Sequence, residues 1–174
     1  MNELAIRLST FASGYDKVIF NNNPWRYFDV IYVIPKLVEN KGYQNILVIC
    51  KNMISWKNEF SNYAKTAIYE INTNCDDDIR VVVVCPKRIK NYFKNSKRQI
   101  DCVITDINMT PSIADILGKY AKWYVIYNVI DHQTTYVDKL NYNIRIASIE
   151  YMEDKRYKIE YQTPTSGVIN ASVP

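Results

Sequence analysis

Glycine and histidine are the two scarcities that constrain this sequence most. Only four glycines, Gly14, Gly42, Gly118 and Gly167, are spread over 174 residues. A methyltransferase would need a glycine-rich turn after its first strand, and none is present. His132 is the only histidine, and Cys50, Cys75, Cys85 and Cys102 contain no C-x-x-C spacing. A zinc centre therefore lacks its ligand set. Three of these cysteines stand in or beside strand-like runs, where a small apolar residue suffices, and they read as reduced structural thiols. Nucleophilic chemistry lacks its groups as well. There is no G-x-S-x-G, the Asp131–His132 pair has no nucleophile near it in sequence, and "EYMEDK" alternates wrongly for a strand-borne metal site. No apolar run approaches the roughly 20 residues of a membrane helix. Glu3 and Arg7 interrupt the apolar start, so the expectation is a cytoplasmic protein, in a host cytoplasm or virion if viral, with no membrane contact and no cleaved signal.

What is present is the material of a folded domain. With 48% hydrophobic and 23% charged residues, a chain of this length buries roughly two-thirds of its unfolded surface. We expect one domain over 1–174. The formal net charge of +4 permits nucleic-acid contact without requiring it. Asn, Ile, Lys and Tyr are abundant, a usage that accompanies AT-rich coding sequence in many phages and viruses.

Apolar β-branched runs and helical spacings alternate along the chain. "KVIF" (17–20) predicts a strand. "PWRYFDVIYVIPKLVENKG" (24–42) predicts a helix with Asn23 as cap and Pro24 in its first turn; Pro35 should kink or split it, and Gly42 should end it. "NILVIC" (45–50), a helix over 53–65, a short strand at 67–71 and "IRVVVVC" (79–85) follow. "PKRIKNYFKNSK" (86–97) returns to helical spacing, then "DCVITDI" (101–107), a helix at 111–122 and "WYVIYNVI" (123–130). Continuous apolar strands of this kind belong to parallel sheets covered on both faces, an α/β fold. Beyond residue 130, segments 143–152 and 156–162 predict a small β-hairpin extension, and the tail "TPTSGVINASVP" has little to bury and should be loose or docked on a partner.

One segment carries a charge pattern of interest. Lys87, Lys90, Lys94 and Lys97 recur at spacings of three, four and three, with Arg88 beside them, while Ile89, Tyr92 and Phe93 supply the opposite side. A basic stripe of this kind suits nucleic-acid phosphates, and Pro86 at the helix start should leave amides open to an anion. An ordinary solvated face would look the same. Lys51 and Asn52, in the turn after "NILVIC", form a second candidate patch. Trp56 keeps helical phase with Phe60 and Tyr63 and is assigned to the core. The 15 tyrosines are taken first as sheet formers rather than base-stacking platforms.

The order and wording of 14–130 resemble the first RecA-like lobe of superfamily-two helicases and Swi/Snf-type translocases. "NILVICKNMISWKNEF" (45–60) is similar to the strand, turn and Trp-bearing helix that follow the phosphate-loop helix. "VVVVCPKRIKNYF" (81–93) is similar to the next strand and a turn that touches the nucleic-acid backbone in that family. "IDCVITDINMTPSIADILGKYAKWYVIYNV" (100–129) is similar to the strand ending in Asp-Glu, its helix and the following strand. The resemblance implies a RecA/P-loop-like sheet, but the nucleotide motifs are broken. "NNNPWRYF" offers no glycine, no phosphate-loop Lys and no hydroxyl for magnesium, and Pro24 removes an amide. Asp106 survives, either as a turn cap or a magnesium holder, but Ile107 replaces the Glu and Met109 the His. An isoleucine accepts no proton. "YVIYNV" lacks Ser-Ala-Thr.

The expectation is therefore a module without catalytic residues, nucleotide cofactor or metal, derived from a helicase-like lobe. Its partner would be nucleic acid, DNA before RNA, contacted through Lys51, Asn52, Lys87, Arg88, Lys90, Lys94 and Lys97, together with a protein partner or a second copy. The alternative expectation is a structural or assembly protein of a virion or host interface that binds no nucleic acid.

Overall fold

The computed structural model describes residues 10–21, 33–49, 80–95, 99–105, 111–127, 140–154 and 156–173. Among the described residues eight strands form one sheet: β1 Lys17–Asn21, β2 Asn45–Ile49, β3 Arg80–Val84, β4 Cys102–Thr105, β5 Trp123–Tyr127, β6 Ile144–Tyr151, β7 Tyr157–Gln162 and β8 Val168–Val173. Their order is β3-β2-β4-β5-β1-β6-β7-β8. The pairs from β3 across to β6 are all parallel. Val, Ile and aromatic residues dominate these strands because branched side chains pack well on a pleated surface.

Handedness decides where the helices go. From β1 the chain passes to β2 in one direction along the sheet, through α1 (Val33–Lys41), whereas β3 to β4 and β4 to β5 run the other way. Right-handed crossovers in opposite directions place their helices on opposite faces. Side-chain parity agrees with this. Ile19, Leu47, Ile49, Val103, Trp123 and Val125 form one buried cluster with Ile89 of α2 (Ile89–Asn95) and Ile113 and Leu117 of α3 (Pro111–Lys119). The alternate residues Val18, Phe20, Ile46, Val48, Cys102, Ile104 and Tyr124 are buried too, as are Ile34, Leu37 and Val38 of α1. The expected doubly covered parallel sheet is what the chain forms.

Local signals act as the sequence suggests in several places. Gly42 follows α1 with φ +70° and donates its N–H to the Val38 carbonyl at 3.1 Å, the left-handed helix stop that glycine makes without steric cost. Pro35 lies within α1 near its described start, and the kink or split expected there involves residues before Val33 that lie outside the described ones. Asp101 organises the lower end of the sheet. Its Oδ2 accepts the N–H groups of Gln44 and Asn45, both at 2.9 Å, and its own N–H reaches the Asn45 carbonyl at 2.8 Å.

The C-terminal region corrects the sequence expectation. The hairpin exists, as β6 and β7 pair antiparallel from Arg145↔Gln162 to Tyr151↔Tyr157. It is not an appendage, because β6 lies parallel beside β1 and continues the main sheet. Asn143 fixes that junction: its Oδ1 accepts the Lys17 N–H at 2.8 Å and its own N–H reaches the Lys17 carbonyl at 2.9 Å. Nor is the tail loose. After a turn closed by Thr163 and Ser166, "VINASV" pairs antiparallel with β7 as β8. The tail buries little because it sits at an edge, yet β7's unpaired backbone gives its amides partners. The helix expected at 53–65 and the strand at 67–71 lie outside the described residues.

Candidate nucleic-acid interface

The basic segment leaves the C-terminal end of β3, the outermost parallel strand among the described residues. Cys85 is extended (φ −83°, ψ 157°), Pro86–Arg88 form one 3-10 turn, and α2 follows directly. Ile89 is buried and Tyr92 and Phe93 are half-buried, so the apolar side of α2 is pinned to the sheet. Phe93 meets Tyr92 edge-on at 5.4 Å and the ring of Tyr120, just past the end of α3, at 6.0 Å. Lys87, Arg88, Lys90 and Lys94 are all exposed. No acidic residue lies within α2, and none of these four cations forms an ion pair with a described residue. Four positive charges thus project from one short anchored element, available to an external anion.

The structure brings together four of the seven residues selected from the sequence. Lys51, Asn52 and Lys97 lie outside the described residues, as do Trp56, the turn from Asn22 to Trp25, and Asp106, Ile107 and Met109. One detail is corrected. The amides expected to stand open behind Pro86 are partly used, since Arg88 N–H donates to Cys85 O at 3.0 Å and Ile89 N–H to Pro86 O. The tight 3-10 start uses these two amides in i to i−3 bonds, which leaves the side chains as the groups an anion would meet.

Sequence reasoning missed the neighbouring α3. Between α2 and α3 runs a groove of about 460 Å³. Ile89, Phe93, Ile116 and Tyr120 form its apolar wall, while Lys90, Lys119 and Asp115 supply charge. The signal was Lys119 in the last turn of an amphipathic helix, but its position against Lys90 is purely tertiary. Lys122, also overlooked, is engaged elsewhere, with its Nζ 4.9 Å from the centre of the Tyr43 ring.

A second polar cluster lies at the opposite, N-terminal end of the strands and is built for packing. Lys41 pairs with Asp16 at 3.4 Å, and the buried Tyr124 hydroxyl donates to the Tyr15 carbonyl at 2.6 Å. Burial pushes the Cys102 thiol and the Tyr43 and Tyr124 phenols well above their ordinary ranges, with nearby acids adding to the effect. These groups stay protonated, and Cys102 is an inert thiol.

The position of the basic element matters. In open α/β sheets ligands gather outside the carboxyl ends of the strands. Residues 86–95 start at that edge, two strands from β4 and four from β1, or about 10 and 19 Å at ordinary strand spacing.

The parallel sheet with helices on both faces defines the chain as an α/β protein with a RecA-like arrangement. No family model and no curated protein matches the sequence. Among solved structures, the chain is similar to the SWI2/SNF2 ATPase core of Sulfolobus solfataricus, determined in complex with dsDNA. The TM-score is 0.51 and the identity 16%, over 79% of this chain and 32% of that one. The chain thus spans about a third of that structure's length, and the likeness is one of fold.

Proposed function

We propose that this protein is a nucleic-acid-binding module built on a helicase-like lobe, and that it binds without hydrolysing nucleotide. The carrying observation is the 3-10 turn Pro86–Arg88 together with the anchored helix α2 that follows it, with Lys87, Arg88, Lys90 and Lys94 exposed and unpaired among the described residues. It stands at the sheet edge where α/β folds gather ligands. The fold likeness to a translocase core held on dsDNA supports duplex DNA as the first ligand to test. The absent phosphate-loop Lys and the isoleucine in place of the motif-two Glu support binding without catalysis. The AT-rich type of composition suits a phage or viral replication, transcription or recombination factor.

The test is fluorescence anisotropy with a labelled 20-base-pair duplex and its single strand across a salt series. Affinity should fall linearly in log–log with salt. Lys87→Glu with Lys94→Glu should weaken binding by about tenfold or more at 0.1 M salt and lower the salt slope by roughly two, one for each phosphate contact removed. Unchanged affinity in that double variant would remove α2 from the interface. Absence of binding by the unmodified chain would overturn the proposal.

A further inference from the structure

Among the described residues the sheet ends at β8, and this edge lacks the features that normally prevent strands from pairing further. Val168–Val173 reads VINASV, six residues with no charge and no proline. Its inner side pairs with β7 without interruption from Gln162↔Val168 to Tyr157↔Val173, so no bulge turns the edge away. By contrast, the β6–β7 ladder shifts register between Ile146 and Ser148, and β7 carries Lys158 and Glu160. Val168 is 60% exposed, one of two large hydrophobic side chains so placed among the described residues. A regular edge strand without charge, proline or bulge offers a row of unpaired amides and carbonyls to another strand.

We propose that β8 pairs antiparallel with β8 of a second copy, joining two sheets across a twofold axis. Symmetry restricts the register. A twofold axis perpendicular to the sheet must pass through one residue if facing side chains are to share a face. Centred on Asn170, it sets Val168 opposite Ser172, Ile169 opposite Ala171, and Asn170 opposite its own copy. No like charges meet, and the two Asn170 amides can exchange hydrogen bonds, each offering donor and acceptor. The second copy is the favoured occupant because an uncharged strand is compatible with itself in this register, whereas strands such as β7 bring charges. The contact is small, below the roughly 1,000 Å² of a durable interface unless loops add to it, so the dimer should form at tens to hundreds of micromolar. β3 and β8 are the two opposite ends of the eight-strand order, so dimerisation leaves α2 free. The two basic helices would stand far apart, and a dimer would engage nucleic acid at two separate points. The dimer itself does not depend on that binding role.

Sedimentation velocity of the full chain from 10 to 500 µM tests this. The expected result is a shift with concentration from the 20.4 kDa chain mass toward twice that value. Asn170→Lys should raise the dissociation constant by at least tenfold, because two lysines then face each other, while far-UV circular dichroism stays unchanged at this exposed position. Mixing Asn170→Lys with Asn170→Glu should restore association. A monomer throughout the range overturns the proposal, including the outcome in which β8 serves a strand of another protein. Dimers that ignore Asn170→Lys place the interface elsewhere, and failure of the mixed pair to associate rules out this register.

Discussion

Tyr124 shows at the residue scale how burial converts an ordinary side chain into a pH-dependent term. Its hydroxyl is fully enclosed, donates to the Tyr15 carbonyl, and has its ionisation pushed up first by desolvation and then by Cys102, Tyr43 and Asp16. The unfolded chain releases this proton near the ordinary value of about 10, while the folded chain holds it to higher pH. Above about pH 10 the folded state therefore binds more protons than the unfolded state, and stability falls as pH rises. Tyr43 acts in the same direction. Tyr124→Phe should destabilise the fold at pH 7 by about 1 kcal/mol for the lost hydrogen bond, read as a lower thermal midpoint. It should also make the decline between pH 9 and 11 shallower than in the unmodified chain. Parallel melting curves across that range would show that Tyr124 contributes nothing to alkaline unfolding. The role of Gly42 was legible from its place after an apolar helical run. Tyr124's was not, because a tyrosine in a strand looks the same whether its hydroxyl meets water or a carbonyl 109 residues away.

At the scale of elements, α2 depends on one deep contact. Ile89 is its only fully buried side chain and joins the cluster of Leu47, Ile49, Val103 and Trp123. A seven-residue helix has too few internal hydrogen bonds to persist without such packing. Ile89→Ala should cost about 2–5 kcal/mol in urea unfolding, whereas Lys94→Ala on the exposed face should stay within about 0.5 kcal/mol. Equal effects would mean that α2 is not anchored as described. The amphipathic division of α2 was readable from spacing alone, with Ile89, Tyr92 and Phe93 inward and the lysines outward. The 3-10 start was not, since Pro86 is equally compatible with an α-helical first turn. The tail misled for a different reason. "VINASV" is short and carries two polar residues in six, and only the open backbone of β7 makes it a strand.

At the scale of the whole molecule, the described residues form a mixed sheet whose parallel part has the strand order β3-β2-β4-β5-β1-β6. If the chain binds nucleic acid without using nucleotide, as proposed, millimolar ATP with magnesium should leave the thermal midpoint unchanged, measured by differential scanning fluorimetry. A rise of several degrees would return nucleotide to the mechanism through mass action on the folded state. By itself the sequence determined the alternation of strand and helix, the α/β class and the division of the basic helix into inner and outer sides. Each of these follows from local periodicity, which a chain carries in the spacing of its own side chains. Only the tertiary structure decided that β6 joins beside β1, that the tail closes the sheet as β8, and that Lys90 and Lys119 face one groove. Backbone hydrogen bonding between strands is indifferent to side-chain identity, so pairing between distant segments leaves little trace in the sequence of either one.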